Sequence, residues 1–113
     1  MESVPPQVSE KVTRLQSAQA AHDTTVLQRQ RVQEELMEVE RTLETLGQEA
    51  QGEVYQFAGR VLIKRDKKKV ETELRERQEL LKLRSSALEK QESRLKEKIQ
   101  ELESSIRGSL KGQ

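Results

Sequence analysis

The 113-residue sequence has no cysteine and no tryptophan, and only one tyrosine, one phenylalanine, one histidine and two prolines. Without cysteine there is no disulfide and no thiolate chemistry. Two aromatics supply too little bulky apolar volume for a compact two-layer fold of this length. No apolar run reaches the roughly 18 residues that a membrane span takes, and no charged-then-apolar leader opens the chain; a soluble, cytoplasmic protein is expected. Charge of one sign is also missing. The 21 basic and 20 acidic residues leave a formal net charge of +1, and the two signs alternate along the chain, so no global field draws it to nucleic acid or to a membrane. There is no glycine-rich phosphate loop, nucleophile elbow, carboxylate pair in a predicted cleft or zinc-ligand spacing. The single histidine, His22, lacks the converging partners that a metal or acid-base role needs and reads as a seam residue. The expectation is a protein that is not an enzyme and takes no cofactor or metal.

What is present points to long helices. Charged residues make up 36% and hydrophobic residues 32%, with Leu, Glu, Lys, Gln and Arg dominant, a composition of extended helical chains completed by partners. Pro5 and Pro6 precede a periodic pattern, where a missing N–H is tolerated because first-turn donors are orphaned anyway. A first helix is predicted over about residues 6–46. Its seam steps by three and four through Leu15, Ala18, His22, Thr25, Arg29, Val32, Leu36, Val39, Leu43 and Leu46, weakly apolar in its first half and strongly so in its second. Gly47 suits a helix C-terminus, and residues 47–52 read as a loop.

Residues 53–66, EVYQFAGRVLIKRD, break the pattern. Val54 to Phe57 and Arg60 to Lys64 are rich in β-branched and aromatic residues, and Ala58-Gly59 offers a tight turn. A β-hairpin over about 53–65 is expected, with its register left open. Asp66 is the expected N-cap of a second helix over about 67–107, with a tail over 108–113 that begins at Gly108 and holds Gly112. Along that helix Leu74, Leu81, Leu88, Leu95 and Leu102 recur every seven residues. Ile99, Ile106 and Leu110 thicken the stripe, while Gln78, Ser85 and Glu92 interrupt it.

The expected fold class is therefore α-dominated with one β-hairpin: a single domain over 1–113 in which a long antiparallel two-helix coiled coil is closed by the hairpin. Each helix of about 40 residues would be roughly 60 Å long, and residues facing each other would sum to roughly 116. That places Leu36 near Leu81, Leu43 near Leu74 and Leu15 near Leu102. His22, Thr25 and Arg29 would then meet the polar interruptions of the second helix, where loose packing is expected.

The cluster Lys64, Arg65, Lys67, Lys68 and Lys69 ahead of a leucine heptad has the spacing of a leucine-zipper DNA-binding protein. Those basic regions are long continuous helices; this one is short, broken by Asp66, preceded by β-prone residues and followed by Glu71 and Glu73. It reads as a solvated shoulder. Lys67 to Lys69 nevertheless fall in a first helical turn, where the macrodipole disfavours cations by roughly a few tenths of a kcal/mol each when exposed. A neighbouring acidic chain would compensate.

The hairpin carries the stronger inference. An isolated two-stranded sheet is marginal in water, and this one would expose Val54, Tyr55, Phe57, Val61, Leu62 and Ile63 over both faces, with open edges. The helical stripes are used against each other, so strand pairing with other copies or relatives is expected, closing a sheet or barrel. At the other end of the helices, Val4, Val8, Val12 and Leu15 would lie beside Ile99, Leu102, Ile106 and Leu110. They either zip the coil shut or open by fraying to hold a non-native chain through many weak apolar contacts.

In order and spacing the residues resemble the β class of the prefoldin family, of the archaeal type. The resemblance spans nearly the whole chain: the Pro5-Pro6-Gln7-Val8 start, Val54-Tyr55 and Gly59 followed by Leu62-Ile63-Lys64, then Leu83-Arg84 through Leu88, Gln91-Glu92 and Leu95. Ala58 departs from it, standing where β-class sequences more often carry a larger aliphatic. The single hairpin separates this plan from α-class subunits, which have two. The resemblance implies a hetero-hexamer of two α-class and four β-class subunits, with hairpins joined in a double β-barrel and six coiled coils hanging from it. It further implies ATP-independent capture of unfolded proteins at the coil tips and delivery to a group II chaperonin. By position, Val54, Tyr55, Phe57, Val61, Leu62 and Ile63 would build the barrel, and the terminal apolar residues would meet client and chaperonin. A different class of function fits the same pattern: a structural coiled-coil adaptor whose tips bind one folded partner.

Overall fold

The computed structural model describes residues 4–49 and 51–111. Ala50 of the expected loop, and Gly112 and Gln113 of the expected tail, lie outside the described residues. The element order is α1 (Pro6–Glu49), β1 (Glu53–Ala58), β2 (Val61–Asp66) and α2 (Lys67–Lys111).

Each boundary has a local cause. The amides of Val8 and Ser9 both donate to the Pro5 carbonyl at 3.0 Å, so Pro6 occupies the first helical position, where its lost N–H is harmless. At the start of α2 the Asp66 carboxylate accepts from the Lys69 amide at 3.3 Å, the N-cap expected of it. Gly52 has φ +76°, and the Glu53 amide reaches back across it to the Gln51 carbonyl at 2.9 Å, a γ-turn whose central residue must be free of a Cβ clash. The Lys67 amide donates to the Gly52 carbonyl at 2.9 Å, tying the entry of the hairpin to its exit.

Two helix ends differ from the sequence expectation. α1 runs through Gly47 to Glu49, and α2 runs through Gly108 to Lys111. A glycine in a helix interior costs about 0.5–1 kcal/mol relative to alanine, which weakens a helix without ending it. Neither glycine has positive φ, so neither acts as a C-cap.

The hairpin pairs Glu53 with Asp66, Val54 with Arg65, Tyr55 with Lys64, Gln56 with Ile63, Phe57 with Leu62 and Ala58 with Val61. Ala58 therefore belongs to the strand, and the two-residue turn is Gly59-Arg60. Gly59 has φ +63° and Arg60 does not have positive φ, the pattern of a type II′ turn, whose twist suits a hairpin.

The chain divides into two compact units, one of residues 30–85 and one of residues 1–29 with 86–113. In the first, Arg77 Nε donates to Glu35 Oε1 at 3.0 Å. In the second, Lys11 Nζ donates to Ser109 Oγ at 3.0 Å, Gln91 Nε2 to Thr25 Oγ1 at 3.2 Å, and Arg29 Nε to Glu92 Oε2 at 2.5 Å. Within each unit the helix segments thus run antiparallel, since low-numbered residues of α1 meet high-numbered residues of α2.

Burial follows the α1 seam with one refinement. Ala18, Thr25, Val32, Val39 and Leu46 are buried, a row with a strict seven-residue repeat, while Leu15, His22, Arg29, Leu36 and Leu43 between them are half-buried. Leu81 and Ser85 are the buried residues of α2. The polar stretch around Thr25 is not loose. Thr25 is 1% exposed, its hydroxyl donates to the Ala21 carbonyl at 2.8 Å and accepts from Gln91, and Arg29 grips Glu92 with a second bond at 3.3 Å from Nη2. Polar groups pack tightly when their hydrogen bonds are complete.

Candidate functional site

Apolar side chains are exposed at two places, broadly on the hairpin and only at the extremes of the helix ends. The first is the sheet of the unit formed by residues 30–85. Antiparallel register places paired residues on one face and alternates faces along each strand. One face therefore carries Phe57 with Leu62 and Tyr55 with Lys64; the other carries Ala58 with Val61, Gln56 with Ile63, and Val54 with Arg65. Phe57 is 74% and Tyr55 65% exposed, and Val61, Leu62 and Ile63 are exposed as well; Val54 is half-buried. The sheet has two strands only, so among the described residues each keeps one unpaired edge.

Arg65 orients this sheet. It lies on the second face, where Nη1 donates to Gln56 Oε1 at 2.9 Å, and both Nη atoms donate to the Glu73 carboxylate on α2. The base of that face, Val54 and Arg65, is its half-buried part, and the face of Phe57, Leu62 and Tyr55 is presented away. The bond from Arg65 holds the Glu73 carboxyl below its ordinary range, and the carboxylate in turn raises the guanidinium. On the opposite face Lys64 Nζ meets Glu53 Oε2 at 2.8 Å, which uses up the charged base of that face and leaves its apolar end near the turn. The Arg65–Glu73 pair is not legible in sequence, because its eight-residue spacing crosses from strand to helix.

The second set lies in the unit of residues 1–29 and 86–113. Val8 is 4% exposed; Val12, Leu15, Ile99, Leu102 and Ile106 are half-buried; Val4 and Leu110 are 55% and 53% exposed. The unit collects all eight residues, and at its helix ends the Lys11–Ser109 bond joins α1 to α2. Beside it an open groove is lined by Lys11 and Arg14 of α1 and by Lys98, Glu101, Leu102 and Ser105 of α2. The ends are thus mostly zipped, with Val4 and Leu110 left to solvent. Two further leucines on α2, Leu80 and Leu83, are exposed and lie off the seam.

His22 is half-buried with Nδ1 3.8 Å from Asp23 Oδ1. Among the described residues no three His, Cys, Asp or Glu side chains are grouped to hold a metal, and no helix is long and apolar enough to cross a membrane.

Residues 9–113 match the family described as Prefoldin subunit. The chain belongs to the prefoldin family. Its curated relatives include the prefoldin subunit beta of Thermococcus onnurineus (strain NA1), 38% identical over 112 residues covering 98% of this chain and 97% of the relative. They also include that of Saccharolobus islandicus (strain L.S.2.15 / Lassen #1), 36% identical over 110 residues covering 96% and 87%. The crystal structure of the prefoldin beta subunit from Thermococcus strain KS-1 superposes with a TM-score of 0.85 at 37% identity, covering 97% of each chain. The similarity to beta-type prefoldin subunits, one hairpin between two long helices, therefore holds in both sequence and fold. As a member of this family the chain is a chaperone subunit.

Proposed function

We propose that this chain is a β-class subunit of a hetero-hexameric, ATP-independent prefoldin in the cytoplasm. The hairpin joins α-class subunits and further β-class copies, and the helix ends capture unfolded clients and deliver them to a group II chaperonin. The observation that carries this reading is the hairpin itself: a two-stranded sheet with five exposed large apolar side chains and an open edge on each strand is not stable against water alone. Strand pairing with neighbours satisfies the edges and covers Tyr55, Phe57, Val61, Leu62 and Ile63 together, with Val54 at the base. Capture at the other site rests on Val4 and Leu110, flanked by Val8, Val12, Leu15, Ile99, Leu102 and Ile106. Each such contact is weak, and several copies on one platform gain affinity by multivalency.

Mass measurement of the chain with and without a co-expressed α-class subunit tests assembly: a monomer under both conditions overturns it. Protection of a denatured model protein against aggregation tests capture. Removal of residues 1–12 and 103–113 is expected to weaken protection while the complex keeps its mass. Undiminished protection removes the helix ends from the mechanism, and saturable binding to one folded protein with none to unfolded chains would make the subunit an adaptor.

A further inference from the structure

α2 has the sequence of a zipper in its own right. Its leucines recur every seven residues from Leu74 to Leu102, and such a row is satisfied equally well by α1 or by α2 of a second copy lying parallel to it. Apolar burial alone does not choose between the two. Any complex that gathers copies of the chain would raise the local concentration of the wrong partner.

Two charged contacts do discriminate. In the unit of residues 1–29 and 86–113, α1 supplies the cation: Arg29 binds both carboxylate oxygens of Glu92, at 2.5 and 3.3 Å, with the two side chains 21% and 24% exposed. In the unit of residues 30–85 the polarity is reversed. There α1 supplies the anion, and Glu35 accepts from Nε and Nη2 of Arg77. All four charges are satisfied when α1 and α2 pair antiparallel.

The same four residues oppose each other in a parallel pair of like helices. In that geometry a seam residue faces its own counterpart, and the residue just before the seam faces the residue five positions further along the partner helix. Two α2 helices would set Glu92 against Glu92 and Arg77 against Lys82. Two α1 helices would set Arg29 against Arg29 and Glu35 against Glu40. These four contacts are then between like charges. A parallel α2 pair also sets Arg84 against Glu89 and Lys98 against Glu103, but those flanking attractions are largely solvent-screened, whereas the repulsion at the seam positions is partly desolvated.

We propose that Arg29, Glu35, Arg77 and Glu92 are specificity-determining residues. They direct the leucine heptad of α2 to an antiparallel α1 and reject parallel zippers between copies of the chain. Their role is choice of partner, and net stability is a separate matter, since ion pairs that keep contact with solvent, as these do, contribute little to it.

The test uses the full chain with Leu88→Cys, a seam position in a sequence that has no cysteine of its own. In an in-register parallel α2 pair the two introduced thiols face each other. Leu81→Cys in place of Leu88→Cys should cross-link there as well but not in an antiparallel pair centred on residue 88, so disulfide-linked dimer on a non-reducing gel from both variants reads the parallel pairing. With the native charges little dimer is expected. With Arg29→Leu, Glu92→Leu, Glu35→Gln and Arg77→Gln added, the dimer fraction should rise several-fold; no rise overturns the proposal. A second pair of variants covers the case in which that protein fails to fold. Arg77→Glu with Glu92→Arg alone should raise the dimer fraction, because α2 then repels its own α1. Adding Arg29→Glu with Glu35→Arg should lower it again, and a dimer fraction unaffected by this compensation equally overturns the proposal.

Discussion

Arg65 and Glu73 form a two-point bond, Nη1 to Oε2 at 2.6 Å and Nη2 to Oε1 at 2.7 Å. It joins the base of the hairpin to the second turn of α2, and Gln56 adds a third point on β1. Bidentate guanidinium–carboxylate geometry fixes direction as well as distance. Arg65→Ala is therefore expected to leave the helices folded while loosening the angle of the sheet on α2. Circular dichroism should be nearly unchanged, whereas assembly measured by mass should require higher protomer concentration.

Acid should reproduce part of that effect. The Glu73 carboxyl is held below its ordinary range, chiefly by the Arg65 hydrogen bond. A depressed carboxylate contributes stability above its unfolded pKa, and that contribution is lost as pH falls through the folded value. Arg65, raised further, stays charged throughout. The anchoring should be complete at neutral pH and disappear only below the usual carboxylate range, and Glu73→Gln should remove this component of the acid response. An unchanged pH profile of assembly in Glu73→Gln would refute it.

The seam of α1 is readable because burial obeys the period: all five buried members of its strict heptad row, Ala18 to Leu46, lie on the predicted stripe. The hairpin is readable for the opposite reason, a sudden change from helical to β-branched chemistry. Its register is not, because Ala58-Gly59 and Gly59-Arg60 are both sterically possible turns with Gly59 at positive φ, and only the pairing of Ala58 with Val61 chooses between them. Helix ends are misread at Gly47 and Gly108, since a glycine reports permission to stop and not the stop itself. The tight polar layer at Thr25 escapes because composition shows which groups are polar but not whether they find partners.

Gly47 permits a direct check. A Cβ built on it meets nothing within 4 Å, and its backbone is helical. Gly47→Ala should stabilise the protein by about 0.5–1 kcal/mol, read as a higher denaturant midpoint at fixed protomer concentration. A left-handed C-cap at this position would give the opposite sign.

Two leucines two residues apart should behave very differently. Leu81 is 0% exposed and Leu83 70% exposed. Leu81→Ala is expected to cost about 2–5 kcal/mol, the transfer term plus an unfilled cavity, and Leu83→Ala to stay within about 0.5 kcal/mol. Denaturant titration of both variants checks the pair, and equal effects would show that the seam phase is misplaced.

At Thr25 the outcome depends on shape as much as polarity. The hydroxyl satisfies the Ala21 carbonyl and the Gln91 amide, but Ala21 O keeps its helical partner and Gln91 is exposed enough to turn to water. Thr25→Val should therefore change stability by no more than about 1 kcal/mol. Thr25→Leu, which forces extra volume into a closed seam, should cost about 1–3 kcal/mol. A larger loss in the valine variant would mean that the hydrogen bonds, and not the packing, hold this layer.

The helix ends separate stability from capture. Val8 is buried, so Val8→Ser should lower the thermal midpoint, removing about 1–2 kcal/mol of apolar burial. Val4 and Leu110 are already in solvent, and Val4→Ser with Leu110→Ser should leave the midpoint unchanged. If these two residues are where an unfolded chain first makes contact, the double variant should nevertheless protect a denatured model protein less well at equal complex concentration. Reduced protection without reduced stability can arise only from lost contact with the client, whereas full protection in the double variant would move the contact inward, to residues such as Leu102 in the groove beside Lys11.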